Sequence, residues 1–268
     1  MFAKINHVAI ISEKYALSQK FYEAVFGMRS VDRLSPTNAV VVGDGYVGLN
    51  INPRYVARPA RLDHFGIEVA DVEAAYARMR KFYPRVEWLK RPANRPFAGV
   101  TTHDPDGNVF DLSQKNMANR TDIYEQGEWK QDRFISHVAL RTLNPDAVAE
   151  FYRNVFELEA RNKAPNDPNH YVTDGRMTLV IMPWHITDYA GTGIVSPSLD
   201  HIGFTVESLD RLKADLERVA GENLLLATKP AGLGKEGRAR LELAQKSCPL
   251  GQFYFGDIDG VLLSAAEA

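Results

Sequence analysis

The sequence predicts an α+β protein of two tandem domains, each made of two β-α-β-β-β units that form a cupped mixed sheet with helices on its outer face. Two observations carry this prediction. A histidine recurs at one place in four short apolar segments. A helical motif also repeats at the 130-residue offset that separates the first histidine from the third. A unit present twice in each half explains both.

The four histidine segments share one pattern of alternating side chains. In each segment the residue two positions after the histidine is Ala or Gly, and the residues between and beyond are large and apolar; the histidines are His7, His64, His137 and His201. Strand side chains alternate between faces, so each histidine shares its face with the small residue. We interpret this face as the wall of a cavity for a metal or a substrate, with the apolar residues directed to a covering layer.

The helical motif FYxxVF defines the two halves. It occurs at Phe21–Phe26 and again at Phe151–Phe156, with the same offset as His7 and His137. A polar, highly charged stretch separates the halves, as is typical of a linker. We therefore expect domains at residues 1–116 and 133–268, joined by a linker at 117–132.

Each half divides again into the same order of elements. In the first unit an apolar stripe predicts a helix over 15–26 that ends at Gly27, followed by strands at 28–34, 39–42 and 46–51. In the second unit a helix at 72–82 precedes strands at 86–89, 99–102 and 108–112. The turns before the last strands are Asp44-Gly45, Asp104–Gly107, Asp174-Gly175 and Asp257–Gly260. Segments 183–197 and 230–249 interrupt this order, and we expect either lids at a cavity rim or solvated insertions.

Composition excludes several classes of function. The net charge is −2 and the basic residues are scattered, which argues against nucleic acid as a partner. No apolar run approaches the roughly 20 residues that span a bilayer. Cys248 is the single cysteine, which excludes disulfides and favours a reducing compartment, and we interpret it as a small buried apolar residue. With a strand starting close to Met1, we expect no signal peptide and a cytoplasmic homo-oligomer that binds a small molecule.

These motifs together resemble the vicinal oxygen chelate superfamily. The residues that carry the resemblance are LDHxG in the second and fourth units, FYxxVFG after the first strand and DPDGNxxD at 104–111. That superfamily includes glyoxalase I, extradiol ring-cleaving dioxygenases, methylmalonyl-CoA epimerase and antibiotic-resistance proteins. The resemblance implies a metal held by His7, His64 and Asp111. A His₂-carboxylate set with open positions suits non-haem Fe(II), so Fe(II) is the first expectation and Mn, Zn or Ni are alternatives.

The same positions in the second half predict a degenerate site. They are His137, His201 and Ser264, and serine is a weak neutral ligand. The resemblance also suggests two catalytic residues. His103, the histidine nearest to Asp111 in sequence, is a candidate acid or base, and Tyr254 matches a family tyrosine that precedes the turn, although in the second half.

The number of ligands bears on the type of reaction. A glyoxalase-like site would need a fourth ligand, an acid or amide, from the strand at 46–51. No acid occurs between Gly45 and Leu62, and we expect Gly48 at the ligand position, with Asn50 as a weak alternative. Three protein ligands favour an extradiol-type oxygenase that acts on a small aromatic or vicinal-oxygen substrate. A glyoxalase-like lyase or isomerase and a metal-free, antibiotic-sequestering binding protein are the alternatives.

Overall fold

The computed structural model describes residues 3–30, 39–56, 58–92, 98–115 and 128–268. Most of the predicted linker, at 117–127, lies outside the described residues, as do positions 31–34 of the first predicted strand. No helix in the described ranges is both long and apolar enough to cross a membrane.

The first half forms one eight-stranded sheet. Its elements are β1 (Ala3–Ser12), α1 (Tyr15–Phe26), β2 (Arg29–Ser30), β3 (Val40–Gly43), β4 (Gly48–Pro53), β5 (Arg61–Val69), α2 (Val72–Phe82), β6 (Trp88–Lys90), β7 (Val100–His103) and β8 (Val109–Gln114). The strand order is β2-β3-β4-β1-β5-β8-β7-β6. The first strands of the two units, β1 and β5, are antiparallel at the centre, and each pairs in parallel with the last strand of its own unit.

The second half forms a separate seven-stranded sheet. Its elements are β9 (Phe134–Thr142), α3 (Pro145–Phe156), β10 (Glu159–Ala160), β11 (His170–Thr173), β12 (Thr178–Pro183), α4 (Ile186–Tyr189), β13 (Ser198–Val206), α5 (Leu209–Glu222), a 3₁₀ turn (Leu224–Leu226), α6 (Gly234–Ser247), β14 (Phe253–Gly256) and β15 (Leu262–Glu267). The order is β10-β11-β12-β9-β13-β15-β14. These two mixed sheets confirm the predicted fold class.

The fourth unit departs from the predicted repeat. Where the second unit has the short strand β6 between its helix and β7, the fourth unit has α6. The segment 230–249 is therefore neither a plain loop nor a solvated insertion. Helix α6 packs towards β14, and its C-terminal residue Ser247 accepts a hydrogen bond at Oγ from the buried Arg141 at 2.7 Å.

The predicted helix boundaries are confirmed at α1. Phe21, Tyr22, Val25 and Phe26 are all buried, as their helical spacing requires. The helix ends at Gly27, which has φ 66°, a left-handed conformation that glycine adopts at little cost.

The helices of the two halves pack against each other, α1 with α5 and α2 with α3. Phe26 of α1 stacks on Phe204 of β13, with ring centroids 3.9 Å apart, and Tyr152 of α3 meets Phe65 of β5 at 5.9 Å. Both strand residues alternate with the histidines, so the helices cover the sheet faces opposite the histidines. The two halves consequently share one continuous core.

Reciprocal backbone contacts also join the halves. The Asp44 carboxylate in the first half accepts a hydrogen bond from the backbone N–H of Ile135 at 2.7 Å. The Asp174 carboxylate accepts the equivalent bond from Ile5, also at 2.7 Å. These aspartates belong to the turns that the sequence predicts. Each turn therefore accepts a hydrogen bond from a backbone N–H group in the first strand of the opposite half.

Two tyrosines make a second reciprocal pair. The Tyr22 hydroxyl donates to Asp257 at 3.0 Å, and the Tyr152 hydroxyl donates to Asp104 at 3.3 Å. Burial raises the pKa of both carboxyl groups to about 6, although the hydrogen bonds they accept act in the opposite direction. The interface therefore contains two aspartates that change charge near neutral pH.

Candidate metal centre

Three residues predicted to bind a metal meet on the cupped face of the first sheet. His7 of β1, His64 of β5 and Asp111 of β8 each place one donor atom within 4.8 Å of the others. His64 Nε2 lies 3.2 Å from Asp111 Oδ2. The two imidazole rings are 5.5 Å apart and nearly perpendicular, at 87°. The arrangement provides two nitrogens and one carboxylate oxygen on a common side of the sheet.

A β-bulge orients each of these histidines. The pairing of β1 with β5 skips Asn6, and it skips Asp63 on the other strand. A bulge breaks the strict alternation, so a side chain can reach its own neighbour in the chain. Asn6 Oδ1 and Asp63 Oδ2 each lie 2.9 Å from Nδ1 of the following histidine. These contacts hold Nδ1 as the donor and leave Nε2 available to a metal.

The second half contains the same two β-bulges. The pairing of β9 with β13 skips Ser136 and Asp200. Ser136 Oγ lies 3.2 Å from His137 Nδ1, and Asp200 Oδ1 lies 2.6 Å from His201 Nδ1. The sequence carried a signal for these supporting residues, because a polar residue precedes every one of the four histidines. The pattern alone does not predict these contacts, because a regular strand would direct the polar residue to the other face.

The glycines that follow His64 and His201 have a different role from the one predicted. A Cβ atom added to Gly66 would lie 2.0 Å from the His7 ring, and one added to Gly203 would lie 1.8 Å from the His137 ring. Each glycine therefore makes room for the histidine of the neighbouring strand. The interpretation of a cavity wall is corrected here: the space beside these glycines is filled by imidazole.

The charges of the triad are strongly coupled. Burial lowers the pKa of His7 to about 3, assisted by nearby His64. Burial also acts to lower the pKa of His64, but the charge and hydrogen bonds of Asp111 and Asp63 outweigh it and raise that pKa to about 9. For Asp111, burial acts to raise the pKa, but His64, His7 and Thr101 together outweigh it and lower the pKa to about 2. The opposite pKa shifts of His64 and Asp111 follow from their 3.2 Å contact, which is where a cation would lie between them.

The strand register corrects the expected position of a fourth ligand. Asp111 pairs with Gly66, two residues after His64. The equivalent residue in the first unit pairs with Ala9, two residues after His7, and it is Asn50 and not Gly48. Asn50 is buried, and its Oδ1 atom has no hydrogen-bond partner among the described residues. The prediction differed because register in that strand was uncertain from the sequence.

The two predicted catalytic residues lie in different places. His103 is the last residue of β7, where Nε2 accepts from the Glu87 N–H at 3.0 Å and Nδ1 lies 2.8 Å from the Asp104 carbonyl oxygen. Tyr254 lies in the second half, and its hydroxyl donates to the Cys248 carbonyl oxygen at 2.9 Å. The structure therefore does not bring Tyr254 to the triad.

An open cleft of about 520 Å³ lies next to Thr101, the residue that binds Asp111; the triad residues themselves do not line it. Thr101, which donates a hydrogen bond to Asp111, lines this cleft together with Leu89, His103 and Val109. The triad is accessible from one side, since the His64 and Asp111 side chains are 16% and 8% exposed whereas His7 is fully buried. A small molecule in the cleft could approach the donor atoms from the side of His64 and Asp111.

The sequence matches the Glyoxalase/Bleomycin resistance protein/Dioxygenase superfamily over residues 4–112 and 134–263. The chain belongs to this superfamily. No curated protein sequence matches it significantly.

Solved structures of superfamily type share the fold of this chain at low sequence identity. The Mn(II)-bound glyoxalase from Novosphingobium aromaticivorans has a TM-score of 0.63 at 16% identity, covering 99% of this chain and 83% of that one. The 2,3-dioxygenase LapB from Pseudomonas sp. KL28 has 0.61 at 15%, covering 99% and 92%. The halotolerant catechol dioxygenase BphC has 0.61 at 12%, covering 99% and 86%. Such identities establish the fold of this superfamily member and leave its reaction open.

The second half of this superfamily member contains another group of potential ligands. Ser264 pairs with Gly203 as Asp111 pairs with Gly66, which confirms the strand position expected for it. Cys248, at the end of α6, lies against the histidines, so that donor atoms of His137, His201 and Cys248 are within 4.8 Å of one another. The predicted burial of Cys248 is confirmed, but its position beside two imidazoles was not predicted.

Proposed function

We propose that this protein is a metal-dependent oxygenase of the extradiol type, with His7, His64 and Asp111 as metal ligands and a small aromatic or vicinal-oxygen substrate. The observation that carries the proposal is the convergence of two imidazoles and one carboxylate, of which His64 and Asp111 stay partly exposed. The donor set carries one negative charge and matches the His₂-carboxylate sets that bind Fe(II) with positions left for other ligands. When bound, the metal would polarise the two substrate oxygens and supply the redox chemistry of ring cleavage.

The contribution of the protein is to orient the ligands. Asn6 and Asp63 fix the tautomers of the two histidines, so that both Nε2 atoms point to the common centre. Thr101 holds Oδ1 of Asp111 by a hydrogen bond, which directs Oδ2 towards His64. Rigid strands position all three ligands, which limits the reorganisation needed when a substrate binds.

His103 is the proposed acid or base for the substrate hydroxyl. It shares the cleft with Thr101 and has an acceptor nitrogen, Nε2, currently bound to the Glu87 N–H. Proton transfer at Nε2 requires exchange of that backbone bond for one to the substrate. A His103→Gln variant, which keeps an acceptor but cannot take up a proton, tests this role.

Asn50 supports a second function, a glyoxalase-like lyase or isomerase. Its buried Oδ1 atom occupies the strand position of a fourth ligand and has no partner among the described residues. In such an enzyme the amide oxygen would complete the ligand set. In an oxygenase the same oxygen would instead accept a hydrogen bond from a substrate hydroxyl.

Oxygen consumption separates these functions. Protein loaded with Fe(II) in the presence of ascorbate is tested with a panel of catechols in an oxygen electrode. We expect uptake with at least one catechol, its loss in His64→Ala, and its retention in His170→Ala, which makes the same change on a histidine of β11 in the other half. Absence of uptake over the whole panel, with turnover of a thiohemiacetal or an epimerisable thioester, would replace the oxygenase by the lyase or isomerase.

A further inference from the structure

A second group of three ligands occupies the cupped face of the second sheet. His137 of β9, His201 of β13 and Cys248 are all fully or almost fully buried, at 2%, 0% and 0% exposure. The histidine rings repeat the geometry of the first half, with centroids 5.4 Å apart and an angle of 89°. The face on which the resemblance predicts a degenerate site therefore retains the imidazole arrangement of a metal site.

The missing carboxylate is replaced from a different element of the fourth unit. Ser264 occupies the strand position of Asp111, and its Oγ atom lies 3.4 Å from His137 Nε2. Helix α6 supplies Cys248 from the opposite side, in the chain position that β6 has in the first half. With a thiolate, both sets contain two neutral imidazoles and one anionic ligand.

The surroundings hold Cys248 in place. Its carbonyl oxygen accepts a hydrogen bond from Tyr254, and its side chain packs among Ala139, Val180 and Met182. Arg141 bonds both Asp200 and Ser247 at 2.7 Å, which ties the end of α6 to the supporting carboxylate of His201. The thiol is thereby fixed against the two imidazoles at the end of a helix that covers the face.

The facing nitrogens favour a cation between them. Ser136 and Asp200 bind the Nδ1 atoms, so the Nε2 atoms of His137 and His201 face each other at 3.4 Å. At this distance the two nitrogens can either share a hydrogen bond or bind one cation. A cation bound by both Nε2 atoms would take the place of that hydrogen bond, and the adjacent thiol adds a third ligand.

We infer that His137, His201 and Cys248 form a second metal site, which binds Zn(II) and is distinct from the triad in the first half. Imidazole and thiolate are the ligands that Zn(II) prefers, whereas Fe(II) oxygenase sites use harder oxygen ligands. The full burial of the trio is typical of a closed structural site, in contrast to the open triad. The second site would attach α6 to the sheet that it covers.

Cobalt(II) substitution tests this inference without any assay of activity. Because Cys248 is the only cysteine, a sulfur-to-cobalt charge-transfer band in the near ultraviolet reports this site alone. We expect two Co(II) ions per chain in the wild type together with this band. Asp111→Asn should bind one ion and keep the band, while Cys248→Ser should bind one ion and lose it.

Thermal unfolding provides a second measurement on folded protein. Zinc should raise the melting temperature of Asp111→Asn, and this shift should disappear in Asp111→Asn/Cys248→Ser. Wild-type protein that binds Co(II) without a charge-transfer band, or an undiminished zinc shift in the double variant, would overturn the second site. Either result leaves the oxygenase proposal untouched, because that proposal depends on the triad alone.

Discussion

At the scale of single residues, two glycines decide whether the histidine pairs can form. Gly66 and Gly203 each lie against an imidazole of the neighbouring strand, at distances that no side chain would permit. Neither has a positive φ, so the requirement is for space and not for backbone conformation. The two sites therefore require glycine at positions 66 and 203, where the imidazole of the neighbouring strand occupies the space of a side chain.

Replacement of Gly66 by alanine should therefore disrupt the first site. The new Cβ would displace the His7 ring, so we expect metal affinity at the triad to fall by at least tenfold and the free energy of unfolding to fall by about 1–3 kcal/mol. Isothermal titration with Mn(II) and urea unfolding measure the two effects. Gly221→Ala on α5 is the control, because a Cβ atom added there would meet no atom of another part of the protein within 4 Å. It should raise the free energy of unfolding by about 0.5–1 kcal/mol. Unchanged metal affinity in Gly66→Ala would contradict this account of the packing.

The residue scale also shows where sequence reasoning ends. The convergence of His7, His64 and Asp111 was predicted from the superfamily resemblance of the segments in which they lie. Asp63 was not predicted as a histidine partner, because its orientation depends on a bulge that the alternating pattern does not reveal. Cys248 was not predicted as a potential ligand, because α6 brings it to the histidines over a long separation in the chain.

At the scale of elements, α6 distinguishes the two halves. The cupped face of the second sheet is covered by this helix and the residues that follow it, and the buried Arg141 links the helix to Asp200. In the first half the side chains of His64 and Asp111 remain partly exposed. The positions of α1 and α2 followed from their apolar spacing, whereas α6, with Ala244 as its one buried residue, and α4 in the segment 183–197 were not predicted.

Tyr254 connects two elements of the second half. Its hydroxyl joins β14 to the end of α6 through the Cys248 carbonyl oxygen, so Tyr254→Phe should lower the free energy of unfolding by about 1 kcal/mol. We expect the metal bound by the proposed triad, and the turnover of the proposed oxygenase reaction, to remain at wild-type levels. Urea unfolding and steady-state assays are the measurements. A large loss of turnover with unchanged stability would instead make Tyr254 a catalytic residue.

At the scale of the whole molecule, the two halves are joined by pairs of equivalent contacts, one made by each half. Tyr22 reaches Asp257, and Tyr152 reaches Asp104. The 130-residue offset predicted two homologous halves, but it did not predict that their turns and helices would exchange hydrogen bonds. Such contacts depend on how two finished sheets pack, and no local pattern encodes that.

The interface should make stability depend on pH. The folded pKa of Asp257 is about 6, above the unfolded value of 3.8, so its contribution is complete below pH 3.8 and is lost as the pH rises through about 6. The Tyr22 hydroxyl stabilises the ionised form, and its removal should make that loss larger. We expect Tyr22→Phe to cost about 1 kcal/mol at pH 5 and about 2 kcal/mol at pH 8.

Urea unfolding at the two pH values measures this difference. Tyr152→Phe, which removes the bond to Asp104, is the matched variant and should behave alike, because the pKa of Asp104 is also raised to about 6. A cost for Tyr22→Phe that is equal at pH 5 and pH 8, or larger at pH 5, would show that the Asp257 carboxyl does not change charge in this range.

The most direct test of the central claim is the amount of metal bound by the triad. Fe(II) is titrated anaerobically into Cys248→Ser protein, so that sulfur ligation does not contribute, and bound iron is counted per chain. We predict one Fe(II) per chain in this Cys248→Ser protein. The further substitutions His7→Ala/His64→Ala should reduce the count to zero, and the further substitution His170→Ala should leave it at one. Iron content that the double histidine variant leaves unchanged would show that His7 and His64 do not hold the metal.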